Sequence, residues 1–531
     1  KHSFRSLSRH PPCPQSMTRS AGVRLLAASC LAAWLDLALS AGREEGGPVS
    51  MPACPACVYG GDPTANVFDH WIGNWRNAYQ PTGGTVPELP DASLPLALRG
   101  MVAKVVMSSG GVASGVVTEG MGYGLLIEGI RAAAQDPEAL GHGLALMRSW
   151  LGMVNGADEP HPAGGGELPL SATNVSQWPY GVSAVGASRG GMGPSGVAAW
   201  KFPKTACKKG CAGSATDGDE DAVLGMIYLA ATLRWPDDFV DTVMRAVIAF
   251  ASADLGFPDL FRTLPGGEKV YVPKGGSSWG GLLPPKGRFA SAGPTWCYSP
   301  GYFAPAHYRL FRDFARRHWR PAFDAYLPPH LDGRASSLSE LVAAFDGAVR
   351  GGYNILFRSS CESGSVANWV GVQAPCGRDD QLSCPGVPWA STPYVGAGGQ
   401  CNNSGTPFGS YGPDASRTPW RIALDYVLYT REATDVTIYD TAGRVDPSVR
   451  FNAEVYLHGF QKQYKRFAKC DPGDDPDGGW WKCSTMALSA AFDPAMRPPN
   501  VTCHNVPYPP ETWWSHFMAY PTFATFVAPF N

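Results

Sequence analysis

The sequence predicts a mainly helical protein, and three apolar stretches carry that expectation. Leu125, Leu126, Ile127, Ile130 and Ala133 follow the Gly-Tyr-Gly of 122–124, and Val223, Met226, Ile227, Leu229, Ala230 and Leu233 follow an acidic run at 217–221. Both stretches are apolar almost all round, the pattern of inner helices rather than surface ones. The third contains Ile422, Leu424, Val427 and Leu428. It has the sharpest start, with Thr418 placed as N-cap and Pro419 as first helical residue.

An acid introduces each stretch. Glu119 lies in Thr-Glu-Gly-Met-Gly-Tyr-Gly, Asp217 in Ala-Thr-Asp-Gly-Asp-Glu-Asp, and Asp414 in Pro-Asp-Ala-Ser-Arg-Thr-Pro-Trp-Arg. A single acid at a helix start is most often a cap. Three of them, on helices running parallel, would face one groove, and carboxylates gathered around a sugar are the usual means of cutting a glycosidic bond. The helix macrodipole favours the ionised form, which suits a base. A proton donor in the same setting needs burial or a neighbouring carboxylate to raise its pKa.

Other readings of these motifs fail on spacing. Asp217, Asp219 and Asp221 alternate like the first calcium-loop ligands, but Ala222 stands where the loop needs Gly and Tyr228 where it needs Glu. The glycines of 120–124 match no dinucleotide fingerprint and lack the lysine of a phosphate loop. His142, His307 and His516 have no metal-ligand spacing and read as hydrogen-bonded structural residues. Cys54-Pro-Ala-Cys57 and Cys207-Lys-Lys-Gly-Cys211 lack the second pair that a zinc site requires.

In these blocks the chain resembles glycoside hydrolase family 8, the inverting β-1,4-glycanases that include endoglucanases, xylanases, chitosanases and lichenases. The resemblance runs from about Asn66 to near the C-terminus and implies an all-α fold, an (α/α)6 barrel with long disulfide-pinned loops. It assigns Glu119 as proton donor, Asp414 as general base, Asp217 as the acid that contacts the sugar at the cleavage subsite, and Arg417 as the arginine accompanying the base. Trp200 in Gly-Val-Ala-Ala-Trp and Trp279 in Trp-Gly-Gly match substrate platforms. Tyr302, in Gly-Tyr-Phe-Ala-Pro-Ala-His-Tyr-Arg, and Tyr411 join the substrate-binding set. No metal or organic cofactor is implied.

The departures from the family are local. Ala222-Val223-Leu224-Gly225 replaces the usual Ile-Ala-Tyr-Ala, a packing change, and Pro413 stands where the family often has Tyr, with Tyr411 two residues earlier. The spans 157–194 and 359–406 are rich in Gly, Pro, Ser and Cys and read as inserted loops, of the kind that bind or cover a cleft. The expected activity is inverting hydrolysis of internal β-1,4 bonds in cellulose or β-glucan. Xylanase, lichenase or chitosanase activity of the same fold, or non-hydrolytic glycan binding, are the alternatives.

Length and composition set the frame. The 531 residues carry no linker or repeat through the centre, so 66–531 reads as one catalytic domain behind a Cys/Pro/Gly-rich linker at 43–65. Residues 1–42 read as upstream residues and a signal peptide starting at Met17, with Arg19 and Arg24, an apolar run from Leu25 to Leu39, and small residues at 40–42. A net charge of −2 gives no reason to expect nucleic acid or an anionic membrane as partner. The expected partner is a polysaccharide substrate, with no obligate protein partner and a monomeric, secreted state. Of 14 cysteines, 12 lie beyond the leader, an even number that suits disulfides in an oxidising compartment. Sequons at Asn174, Asn402 and Asn500 fit the same compartment.

Overall fold

The computed structural model describes residues 76–77, 79–81, 86, 88–106, 116–156, 197–198, 200–202, 214–257, 262–271, 273, 275–276, 295–327, 334–360, 366, 370–373, 395–396, 414–415, 417–440 and 443–467. The signal peptide, the linker, the sequons, Trp279, Tyr411 and the first expected insertion lie outside them. Cys297 is the only cysteine within them, through its backbone in a strand. Among the described residues no helix is long and apolar enough to cross a membrane.

The chain is mainly helical. The helices are α1 (Thr118–Ala133), α2 (Ala139–Gly156), α3 (Thr216–Thr232), α4 (Asp237–Ala253), α5 (Pro305–His318), α6 (Leu338–Ser359), α7 (Arg417–Leu428), α8 (Thr430–Thr434) and α9 (Ala453–Phe467). Helices α1 and α2, α3 and α4, and α5 and α6 pack as successive hairpins, while α7 packs on α9. Helix α1 also packs on α3, α3 on α5, and α5 on α7, so α1, α3, α5 and α7 share one row. Four such pairs occur among the described residues, against the six of an (α/α)6 barrel. One contiguous apolar cluster runs through them.

The expectation of an inner helix is met most fully by α3, in which every residue from Thr216 to Ala231 is buried. Its fit against α1 is a matter of backbone proximity. Gly122 faces the carbonyl of Gly218 and Gly129 that of Gly225, and a Cβ at any of these positions would overlap the opposite backbone. The seven-residue interval is about two turns in each helix, so the same contact recurs along the pair. Gly225, one of the departures from the family pattern, lies against the backbone of Leu125 and is a packing residue as expected. After α3 the chain turns through Arg234 and Trp235, both left-handed at φ 63° and 60°. Helix α6 starts with a capping box, in which Ser337 Oγ accepts from Glu340 N and Ser337 N donates to Glu340 Oε2.

The third helix start differs from the sequence reading. Helix α7 begins at Arg417, so Thr418 lies in its first turn and is not the N-cap. Arg417 N donates to Asp414 O at 3.3 Å and Thr418 N to Ala415 O at 3.1 Å, while the Thr418 hydroxyl has no hydrogen-bond partner among the described residues. Pro419 is tolerated there because first-turn N–H groups have no intrahelical acceptor.

Short antiparallel strands add to the helices. They are β1 (Tyr79–Pro81), β2 (Lys104–Val106), β3 (Val116–Val117), β4 (Lys201–Phe202), β5 (Arg262–Thr263), β6 (Lys269–Val270), β7 (Thr295–Tyr298), β8 (Val370–Gln373) and β9 (Val395–Gly396), pairing as β1-β2, β3-β4, β5-β6 and β7-β8-β9. The second expected insertion therefore carries strands β8 and β9, with Val372 opposite Trp296 in register. Strand β3 matters most for the site. It pairs Val116 with Phe202 and Val117 with Lys201, and Thr118 N then donates to Trp200 O at 3.0 Å, which fixes Trp200 beside the start of α1.

Candidate active site

Glu119 and Asp217 lie within the first turns of α1 and α3, one residue deeper than a loop position, and Asp414 lies three residues before α7. The glycine contacts set the first two at one level, because Gly218 rests against the backbone of Thr118 and Glu119. Gly301 does the same for the third. It sits in the short 3-10 turn Pro300–Tyr302, and a Cβ there would collide with the carbonyl of Asp414.

All three acids meet one side chain, Arg417. Its Nη2 donates to Glu119 Oε1, while Nη1 lies 2.8 Å from Asp217 Oδ2 and 3.2 Å from Asp414 Oδ1. Arg417 is buried, yet the surrounding Glu119, Tyr123, Asp217 and Asp414 hold its pKa well above the usual range against the cost of burial. The rings of Tyr302 and Tyr123 lie 5.4 Å and 6.0 Å from its guanidinium carbon. Tyr302 is thus brought into the site and Trp200 to its edge.

The acids differ in character. Burial raises the Glu119 carboxyl to about 7, the opposing Arg417 charge being insufficient to cancel it, and the Asp217 and Asp414 charges add to the rise. That is the condition a proton donor at a helix N-terminus has to meet. Asp217 Oδ2 faces Arg417, but its Oδ1 is buried without a hydrogen-bond partner among the described residues, an acceptor left unspent within the site. Asp414 and Glu119 alike keep 23% of the side chain exposed, so both reach the open face of the site and Asp414 is open enough to meet water.

Beneath this layer is a second one that the sequence reading missed. Arg421, one turn after Arg417 and fully buried, donates to Glu220, to Gly301 O at 2.9 Å and to Asp221 Oδ2 at 2.9 Å. Burial pulls its pKa down to about 10. His307 Nε2 lies 2.8 Å from Asp221 Oδ1, and Tyr308 Oη lies 2.9 Å from both Glu220 Oε2 and Tyr302 O. His307 is therefore a hydrogen-bonded structural residue, as its lack of ligand spacing suggested. The signal was available in the i, i+4 spacing of Arg417 and Arg421 and in the adjacent acids after Asp217. The alternating acids, read against a calcium loop, instead diverge around one helix. Asp217 faces Arg417 and Asp221 faces Arg421 and His307.

No family model and no curated protein sequence matches the chain. Among solved structures, the chain is similar to an apo β-1,3-1,4-glucanase from Paenibacillus sp. X4, at 15% identity over 75% of this chain and 80% of that one, with a TM-score of 0.39. It is also similar to the endo-β-1,4-glucanase CMCax from Acetobacter xylinum, at 12% identity, 82% and 93% coverage and a TM-score of 0.40. A third is Rex8A from Paenibacillus barcinonensis complexed with xylose, at 12% identity, 88% and 93% coverage and a TM-score of 0.39. At these identities the likeness does not reach individual side chains, and the site stands on its own geometry.

Proposed function

We propose that the chain is an inverting endo-glycosidase of the family 8 kind, with an (α/α)6 barrel, acting on internal β-1,4 bonds of cellulose or β-glucan. The observation that carries this reading is the meeting of three carboxylates from distant segments on Arg417, one of them raised to about 7. Glu119 protonates the leaving glycosidic oxygen. Asp414 takes a proton from a water attacking on the opposite face of the sugar. Asp217, through its unspent Oδ1, binds a hydroxyl of the ring at the cleavage point and favours the oxocarbenium-like charge that develops there. Arg417 keeps the three acids apart in fixed geometry and shields them from one another between turnovers.

Substrate stacking falls to Trp200, which stands beside the start of α1 and is partly exposed, and to Trp279. Tyr302 and Tyr411 are assigned to sugar contacts. The protein is proposed to act as a secreted monomer with disulfide-pinned loops. Reducing-sugar release from cellulose, lichenan, xylan and chitosan, with the anomer of the first product followed by NMR, tests the reading. Release with the inverted anomer supports it, and retention of configuration would overturn the single-displacement mechanism. Tight glycan binding without cleavage of any of the four would leave the chain a binding protein.

A further inference from the structure

Asp219 follows Asp217 by two residues and is equally buried, at 1% exposure. Two residues along a helix rotate a side chain by roughly 200°. Asp219 is accordingly carried away from Arg417 and meets Asp254, the residue that ends α4. Asp254 is itself fully buried, and its Oδ1 accepts from Ser214 Oγ at 2.8 Å and from Thr216 Oγ1 at 3.3 Å. Ser214 lies within hydrogen-bonding reach of Asp219 too, so one hydroxyl stands between the two carboxylates. Apart from Ser214, no described residue donates a hydrogen bond to either oxygen of Asp219.

The charged groups around Asp219 are of its own sign. Asp254 faces it from the end of α4 and Asp217 from its own turn, and the first turn of α1, bearing Glu119, packs on the intervening Gly218. Two carboxylates withdrawn from water and set against each other cannot both stay ionised. One proton between them turns the repulsion into a charge-assisted hydrogen bond.

We propose that Asp219 is a positioning residue that carries a proton and donates it to Asp254, so that the carboxyl–carboxylate pair ties the lead-in Ser214–Thr216 and the end of α4 to the turn that holds Asp217 against Arg417. The Ser214 and Thr216 hydroxyls offset the charge left on Asp254. Burial and the Asp254 charge both drive the Asp219 carboxyl well above the usual carboxylate range, in agreement with the geometry. The acidic run then serves three directions at once: Asp217 toward the site, Asp219 toward the shared proton, and Glu220 with Asp221 toward Arg421.

The catalytic part of this proposal rests on the glycosidase reading of Asp217, whereas the proton does not. The test therefore measures urea unfolding of the full-length protein from about pH 5 to 8 for the wild type and Asp219→Asn. A carboxyl protonated when folded and ionised when unfolded takes up one proton on folding, so wild-type stability falls as pH rises toward the folded pKa. In Asp219→Asn the introduced amide donates to Asp254 at every pH. The variant should lose that fall by about one proton per molecule, any contribution of Glu119 being common to both proteins. Equal slopes would overturn the shared proton. In the second measurement Asp219→Ala should lose turnover, on the order of 10²-fold for a misplaced Asp217, with KM little changed, and Asp219→Asn should restore most of it. An alanine variant as active as the asparagine variant would reject the positioning role, and if the alanine variant does not fold, the asparagine slope decides. Absence of cleavage by the wild type would count against the glycosidase reading, and the slope would still decide whether the proton is shared.

Discussion

The guanidinium of Arg417 donates to the carboxylate of Glu119 across 298 positions of the chain. The bond links the first turn of α1 to the first residue of α7, and through Nη1 it brings Asp217 and Asp414 to the same place. One buried cation thereby holds three acids that would otherwise repel.

The acid and base roles predict a shared phenotype. Glu119→Gln and Asp414→Asn should each reduce turnover by about 10²-fold or more, since general acid–base catalysis contributes that much, with oligosaccharide affinity retained. Turnover and binding measured on each purified variant check this, and near-normal hydrolysis would reject that residue's role.

Glu119 also predicts a pH limb. A donor must be protonated, so kcat/KM in the free enzyme should fall as pH rises through about 7. The same shift acts on stability with a defined sign. Because the folded value lies above the ordinary 4.5, the contribution is fully present below about 4.5 and is lost as pH rises toward 7. Glu119→Gln should remove that share of the pH dependence in both measurements.

The glycine contacts predict a contrast between two alanine variants. Gly218→Ala places a methyl against the backbone of Thr118 and Glu119, and such overpacking should cost roughly 1–3 kcal/mol and lower turnover by separating the first two acids. Gly141 on α2 has open space around it, and Gly141→Ala should be neutral or stabilising by about 0.5–1 kcal/mol. Urea melts and turnover of the two variants check the contrast.

Arg421 should behave as a structural cation. Arg421→Met leaves Glu220 and Asp221 buried without it, and breaking a buried pair on one side costs about 3–5 kcal/mol. A stability loss in urea melts well under that range would show that the layer beneath the site rearranges freely.

Trp200→Ala should weaken long oligosaccharides more than short ones, by on the order of 1–2 kcal/mol for the apolar surface uncovered. A core residue would instead lose about 3–5 kcal/mol of stability with no dependence on chain length. Kinetics on a cello-oligosaccharide ladder, paired with thermal melts, distinguish the two.

By itself the sequence determined the helical character of the chain and the acids to watch, because both follow from local rules. The continuous apolar pattern of 222–233 marks a buried helix wherever it packs, and Glu119, Asp217 and Asp414 announce themselves by their place before such stretches. Helix ends were legible only to within a residue or two, as at Thr418, whose N–H donates to the backbone of Ala415 inside the first turn. What tertiary structure alone decided was which charges meet. Arg417 neutralises acids from three separate segments, Arg421 binds the two acids Glu220 and Asp221, and Asp219 faces Asp254, 35 positions away by their numbers. The meeting of Glu119 with Asp217 at Arg417 depends on the Gly122–Gly218 and Gly129–Gly225 contacts, which set α1 against α3 at a fixed height. A carboxylate's pKa depends on what surrounds it in space, so the acids of one short run acquire different roles only when the helices close around them.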